Sequence, residues 1–285
     1  MPTTAVTGAT GHLGRIVVKS LLARGADVVA VVRDPAKAAE VLGTDVEVRV
    51  ASYDDRAALE AALTGVDTLV LVSGSEVGRR VQQHTTVIEA AKAAGVTRVA
   101  YTSAPHADTT TLVLAPEHKA TEEVIAGSGL AWTFLRNNWY HENYADQVDQ
   151  VAESGVLLGS MHEGRMASAA RQDYAEAVAA VAVGEGHENQ VYELAGDVAW
   201  TMPELAAAIS EVTGRPVEYR DVSTEEHVAA LTAAGLDEAT AGFVAALDAN
   251  AAEGTLADTS TGDLRRLIGR PTTPLVDGLR AATAT

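Results

Sequence analysis

The chain has 285 residues, 47% of them hydrophobic, and a formal net charge of −18. An acidic surface of that size repels nucleic-acid phosphates and no basic stripe overrides it, while the lack of any cysteine excludes disulfides, thiolate metal sites and thiol nucleophiles. No apolar run approaches the roughly 20 residues that span a bilayer, and the first strand pattern leaves no room for a signal peptide, so a cytoplasmic chain with no membrane and no nucleic-acid partner is expected.

The first pattern is the apolar run Thr4 to Thr7, followed at once by Gly8-Ala-Thr10-Gly11-His12-Leu13-Gly14. A strand that empties into glycines and then into the amphipathic pattern Leu13 to Ala23 predicts a tight strand-to-helix turn. Such a turn brings main-chain N–H groups up to a diphosphate at the positive end of the helix. The spacing is Gly-x-x-Gly-x-x-Gly, not the commoner Gly-x-Gly-x-x-Gly, so its weight comes from its place in the chain. A second strand, Val28 to Arg33, follows, and Arg33 closes it. An arginine there accommodates a 2′-phosphate, whereas an acidic side chain would bind a ribose hydroxyl. NADPH is therefore expected over NADH. Asp34-Pro35 reads as the cap and first residue of the next helix.

Further strands are predicted over Val46 to Val50, Thr68 to Val72, Arg98 to Thr102 and Ala131 to Leu135. Helices are predicted between them over Arg56 to Leu63, Arg79 to Ala94 and Glu117 to Ala126. Val28 to Val32 and Leu69 to Val72 are continuously apolar, the mark of strands buried on both faces. The repeated strand–helix unit argues an α/β, doubly wound parallel sheet of Rossmann type. Asp173 to Val183 then reads as helix and Gln190 to Ala195 as one more strand. Met202 to Val212, Thr224 to Ala234, Glu238 to Ala252 and Asp263 to Ile268 read as helices with little strand between them. The expected organisation is an NADP-binding domain over residues 1–137, completed by about 171–198, and a smaller substrate lobe from 138–170 and 199–285. The Ala/Thr-rich end up to Thr285 is expected to fray.

In open α/β sheets, ligands sit beyond the carboxyl ends of the strands. Those ends supply the candidate cofactor-binding residues Gly8, Thr10, Gly11, His12, Leu13, Gly14, Arg33, Ser73, Gly74, Ser75, Thr102 and Ser103. Asn137 and Asn138 end the sixth strand, and Trp139, Tyr140 and Tyr144 flank Asn143 just beyond it. In a chain with 4% aromatic residues this cluster suits a flat substrate; packing of a helix against the core is its competing use. Catalytic groups are scarce. The residues four before the lysines are Arg15, Arg33, Ile88 and Ala115, so the Tyr-x-x-x-Lys pair of short-chain reductases is absent. Neither a His-Glu-x-x-His helix nor a Gly-x-Ser-x-Gly elbow occurs, and no metal is expected. Glu117-His118-Lys119 leaves His118 as a candidate proton donor near neutral pH and Lys119 as a second candidate, with a solvent-facing pair as the alternative.

The runs Val6 to Gly14, Val31-Val-Arg33-Asp-Pro-Ala-Lys37, Ser73-Gly-Ser-Glu-Val-Gly78, Ala100-Tyr-Thr-Ser103 and Leu135-Arg-Asn-Asn-Trp-Tyr140 together resemble the NmrA-like atypical short-chain reductases. Val191-Tyr-Glu-Leu-Ala-Gly-Asp197 and Leu267-Ile-Gly-Arg-Pro-Thr272 extend the likeness nearly end to end. Within that family the chain is most similar to the bacterial NAD(P)H:quinone reductases. The resemblance implies NADPH at the glycine loop and Arg33, a quinone near Asn137, Trp139 and Tyr140, and direct hydride transfer without flavin. The family also includes non-catalytic NADP(H)-binding redox sensors, which is the alternative reading; a homo-oligomer is compatible with either. Two departures stand out: Ser52, where relatives often carry an acidic residue, and Lys119, where close quinone reductases often carry an apolar one.

Overall fold

The structure is a computed structural model that describes residues 2–284. Its first half alternates strand and helix: β1 (Thr3–Thr7), α1 (Gly14–Ala23), β2 (Asp27–Val32), α2 (Pro35–Leu42), β3 (Glu47–Val50), α3 (Arg56–Leu63), β4 (Thr68–Leu71), α4 (Arg80–Ala94), β5 (Arg98–Ser103), α5 (Ala115–Ala126) and β6 (Ala131–Asn137). A 3₁₀ helix (His141–Gln147), α6 (Val148–Ser154) and β7 (Val156–Gly159) come next, followed by α7 (Arg171–Val183) and β8 (Gln190–Leu194). The chain ends in α8 (Met202–Thr213), β9 (Glu218–Asp221), α9 (Thr224–Ala233), α10 (Glu238–Ala252), α11 (Asp263–Ile268) and α12 (Leu275–Thr283).

Seven strands form one parallel sheet in the order β3-β2-β1-β4-β5-β6-β8. The chain builds outward from β1 to β3 and then returns to lay β4 on the other side of β1. That reversal opens a crevice between the carboxyl ends of β1 and β4. The continuous apolar strands are explained by the helices they meet. Val6, Ala30 and Val70 face α1 and α7, whereas Ala5, Val29, Val31, Leu69 and Leu71 face α3, α4 and α5. Each buried Val or Leu contributes about 1.5–3 kcal/mol, so both faces hold the sheet. The turn after β2 follows its sequence: Asp34 accepts from the N–H groups of Ala36 and Lys37 at 2.9 and 3.2 Å, and Pro35 opens α2.

Three features correct the sequence reading. The mainly helical second half carries two strands that its sequence pattern does not locate: β7 and β9 pair as a separate parallel two-stranded sheet. Its strands are short, and Glu-Tyr-Arg-Asp in β9 carries no apolar alternation, so only the packing of α8 beside both strands reveals them. The C-terminal end is helical through Thr283, because Leu279 is fully buried and Thr283 Oγ1 donates to its carbonyl at 3.0 Å. Thr285, named as the end of the fraying segment, lies outside the described residues. Finally, β5 and β6 run on to Ser103 and Asn137, carrying those side chains to the sheet edge. Among the described residues, no helix is long and apolar enough to cross a membrane.

Candidate functional site

The carboxyl ends of β1, β2, β4, β5 and β6 open into one cleft of about 540 Å³. Gly8, Thr10, Gly11, His12, Leu13 and Gly14 form its floor at the switch point, with Ser73, Gly74 and Ser75 opposite them. Gly8 takes a φ of +61°, which favours glycine, and its carbonyl accepts from Gly11 N at 2.9 Å. A Cβ on Gly14 would run into the backbone of Gly8, so the turn tolerates no side chain at the start of α1. That helix has no side-chain cap, leaving its positive end to an anion.

One end of the cleft is polar and open. Arg33 and Lys37 line it, both exposed, and Arg33 meets Glu76 at 3.5 Å. The pKa of His12 is held below its ordinary value by partial burial first, then by the positive charges of Arg171, Arg15 and Lys37. In a chain of net charge −18, this is a local field that suits phosphates.

The other end is enclosed. Thr102, Ser103, His118, Asn137, Asn138, Trp139, Tyr140 and Asn143 line it together with Leu112, Leu114 and Leu256. Thr102 Oγ1 accepts from Ser73 N at 2.9 Å, tying the loop after β4 to β5. Asn137 donates to the Tyr140 hydroxyl at 3.2 Å, while its Oδ1 and the hydroxyl of Ser103 are buried and have no partner. Buried polar atoms without partners are rare; these two belong to cleft-lining residues at the carboxyl ends of neighbouring strands, and strand alternation sets their side chains on opposite faces of the sheet. Asn138 is engaged at both ends of its amide, donating to Leu256 O at 3.2 Å and accepting from Trp139 N at 2.7 Å. It holds the cleft wall in place. The aromatic cluster divides. Trp139 and Tyr140 line the cleft, but Tyr144 packs edge-on against Trp200 at 5.6 Å in the core.

The two catalytic candidates also part. His118 lines the cleft, but its side chain is buried with its Nδ1 2.9 Å from the Tyr101 hydroxyl. Burial lowers its pKa to about 3, with Arg80 and His84 adding to the shift. Burial thus favours the neutral imidazole over the readily protonated one expected near neutral pH. Lys119, on the next position of α5, is exposed, does not line the cleft, and donates to Asp108 O at 3.3 Å. A helix turns about 100° per residue, and that rotation takes Lys119 off the face His118 presents.

Sequence reasoning missed several neighbours. Arg171 lines the cleft from the start of α7, with its guanidinium 5.3 Å from the Tyr140 ring centre. Leu112, Leu114 and Leu256 come from loops whose pattern carries no signal. Lys37 was visible four residues after Arg33, one helical turn into α2. Beneath the site, Arg136 is buried in β6, donating to both oxygens of Glu122 at 2.9 and 2.6 Å, to Glu193 at 2.9 Å and to Asp108 at 2.7 Å. Among the described residues, no group of His, Asp and Glu could hold a metal ion.

The sequence profile of the NmrA-like family matches residues 2–267. Over 277 residues the chain is 48% identical to quinone oxidoreductase 2 of Escherichia coli K12, covering 96% of each chain. The crystal structure of the NADPH-dependent quinone oxidoreductase of E. coli in complex with NADPH superposes with a TM-score of 0.93, covering 98% of this chain and 99% of that one. A Citrobacter triphenylmethane reductase complexed with NADP(H) is 37% identical, with a TM-score of 0.92 over 98% of this chain and 99% of that one.

Proposed function

The chain belongs to the NmrA-like family, and from that premise we propose that it is an NADPH-dependent oxidoreductase that reduces quinones by two electrons, without flavin. The observation that carries the reading is the two-ended cleft: a glycine turn with Arg33 and Lys37 beside it at one end, and a pocket of amides, rings and leucines, with Arg171 over Tyr140, at the other. The residues fit the coenzyme. The glycine turn and uncapped start of α1 would hold the diphosphate, Arg33 and Lys37 the 2′-phosphate, and Ser73, Gly74, Ser75, Thr102 and the unpartnered Ser103 hydroxyl the nicotinamide half. When bound, NADPH supplies a hydride, that is two electrons and one proton, and water supplies the second proton that completes the quinol.

Asn137, Trp139, Tyr140 and Asn143, with Leu112, Leu114 and Leu256, form the wall for a flat acceptor. Their work is to orient the ring and exclude water, since proximity and alignment alone lower such a barrier by up to about 7–11 kcal/mol. A quinone becomes aromatic on reduction and needs no strong acid, which agrees with a pocket that lacks a tyrosine–lysine pair. The organisation we assign is an NADP-binding unit over 1–137 completed by about 171–198, and a substrate lobe from 138–170 and 199–285 that contributes Trp139, Tyr140, Asn143 and Leu256. An enzyme that draws on NADPH is assigned to the cytoplasm.

Steady-state oxidation of NADPH with benzoquinone is the test. Turnover with purified protein is expected. Binding of both oxidised and reduced coenzyme with no turnover above a denatured control would replace this reading with a non-catalytic sensor.

A further inference from the structure

We propose that His118 acts in the cleft as a neutral hydrogen-bond donor, its Nε2–H directed at a quinone carbonyl oxygen, and that Tyr101 is the positioning residue that fixes this tautomer. The inference rests on the quinone-reductase reading above and deepens it.

One fixed donor sets the direction of the hydrogen bonds around His84. The main-chain N–H of Gly74 donates to His84 Nε2 at 3.0 Å. A neutral imidazole that accepts at Nε2 carries its proton on Nδ1, which therefore donates to Thr121 Oγ1 at 3.2 Å. The Thr121 hydroxyl donates in turn to the carbonyl of Glu117 at 2.9 Å. The hydroxyl of Tyr101, fully buried in β5, lies 2.9 Å from Nδ1 of His118 and also neighbours Ser73 and Thr121; either partner of the Tyr101–His118 contact could donate, and we assign Tyr101 as the donor to an unprotonated Nδ1. With Nδ1 accepting, the single proton of His118 sits on Nε2. That atom has no hydrogen-bond partner among the described residues, and it is not one of the sealed, unpartnered polar atoms. The side chain lines the cleft, so the open nitrogen is the one available to a ligand.

Nothing around the ring recharges it. Arg80 and His84 face it from α4 and Tyr101 from β5, while Glu117 and Glu122 share its own helix. Arg80 is committed to Glu117 at 2.7 Å and to Gly74 O at 2.9 Å. Burial, Arg80 and His84 all disfavour the imidazolium and favour the neutral ring. A quinone being reduced gathers negative charge on its carbonyl oxygen. A donor already aimed at that oxygen in a water-poor pocket stabilises the charge without reorganising. His118 keeps its proton throughout, and the quinol proton comes from water, so no residue needs to be reprotonated between turnovers.

The first measurement is nitrogen-15 NMR of the histidine rings in the wild-type protein. His118 is expected to show a protonated Nε2, an unprotonated Nδ1 and no titration between about pH 5 and 9; a proton on Nδ1 overturns the proposal. In the benzoquinone assay, His118→Phe should lower kcat roughly 10- to 150-fold, the range for a hydrogen bond to a charged group, with KM for NADPH unchanged. His118→Gln should recover part of that loss through its amide N–H. Tyr101→Phe should lower kcat about 2- to 10-fold and split the His118 signal between tautomers. Full turnover by His118→Phe beside an active wild type overturns this proposal alone; a wild type that binds NADPH and does not turn over removes the quinone reading and this inference with it.

Discussion

At the adenosine end of the cleft the charges stand in water. Arg33 leaves 76% of its side chain exposed and touches Glu76 at 3.5 Å, an ion pair of the kind that contributes about 0–1 kcal/mol. At the quinone end the polar groups are buried. Tyr101, His84 and His118 are almost wholly enclosed, and Arg136 lies beneath them among three carboxylates. The exposed end, as proposed, would select a ligand by charge and be screened by salt; the enclosed end fixes geometry through buried hydrogen bonds and a buried arginine–carboxylate network that salt reaches far less. Specificity for the coenzyme and alignment of the acceptor are thus assigned to opposite physical regimes within one cavity.

The sharpest way to break this contrast is at the enclosed end. Arg136→Leu strands the buried Glu122 carboxylate and is expected to cost about 3–5 kcal/mol of stability, read by urea unfolding. A cost below about 0.5 kcal/mol would mean the network holds nothing in place. At the open end, Arg33→Ala is expected to remove most of a preference for NADPH over NADH worth about 1.5–3 kcal/mol, leaving the fold unchanged. Calorimetric titration of both coenzymes at low and high salt reads it. NADPH affinity of the wild type should weaken as salt rises, and a preference that survives the substitution refutes the role of Arg33.

Acid separates the two ends further. His84 and His118 have folded pKa values lowered to about 3, chiefly by burial, against 6.5 for a free histidine. Below 6.5 the unfolded chain takes up protons that the folded chain refuses. Their contribution to stability is therefore intact above pH 6.5 and lost as the pH falls toward 3, at about 1.4 kcal/mol per pH unit for each. Between pH 7 and 5 each should cost roughly 2 kcal/mol, and His84→Gln should flatten the slope in urea unfolding. An unchanged slope would show that folding does not lower the pKa of His84. The smallest effect belongs to Lys119. Exposed and outside the cleft, Lys119→Ala should change quinone turnover by less than about twofold, within the ±0.5 kcal/mol usual at surfaces; loss of activity would bring a lysine-dependent mechanism back.

The amino-acid sequence by itself determined the parallel sheet, because strands covered on both faces must be apolar at every position, as in Val28 to Val32. It also determined the glycine turn and the arginine closing β2, since backbone conformation and charge at strand ends are local properties. The cleft-lining side chains that follow the strands were legible for the same reason. Tertiary structure alone decided the rest. Whether His118 titrates near neutral pH depends on burial and on Arg80 and His84, which α4 carries in from more than thirty positions away. Whether Tyr144 meets a ligand or the core depends on Trp200, and the pairing of β7 with β9 depends on packing against α8. Propensity and spacing are sums over neighbours in the chain; desolvation and long-range pairing are sums over neighbours in space.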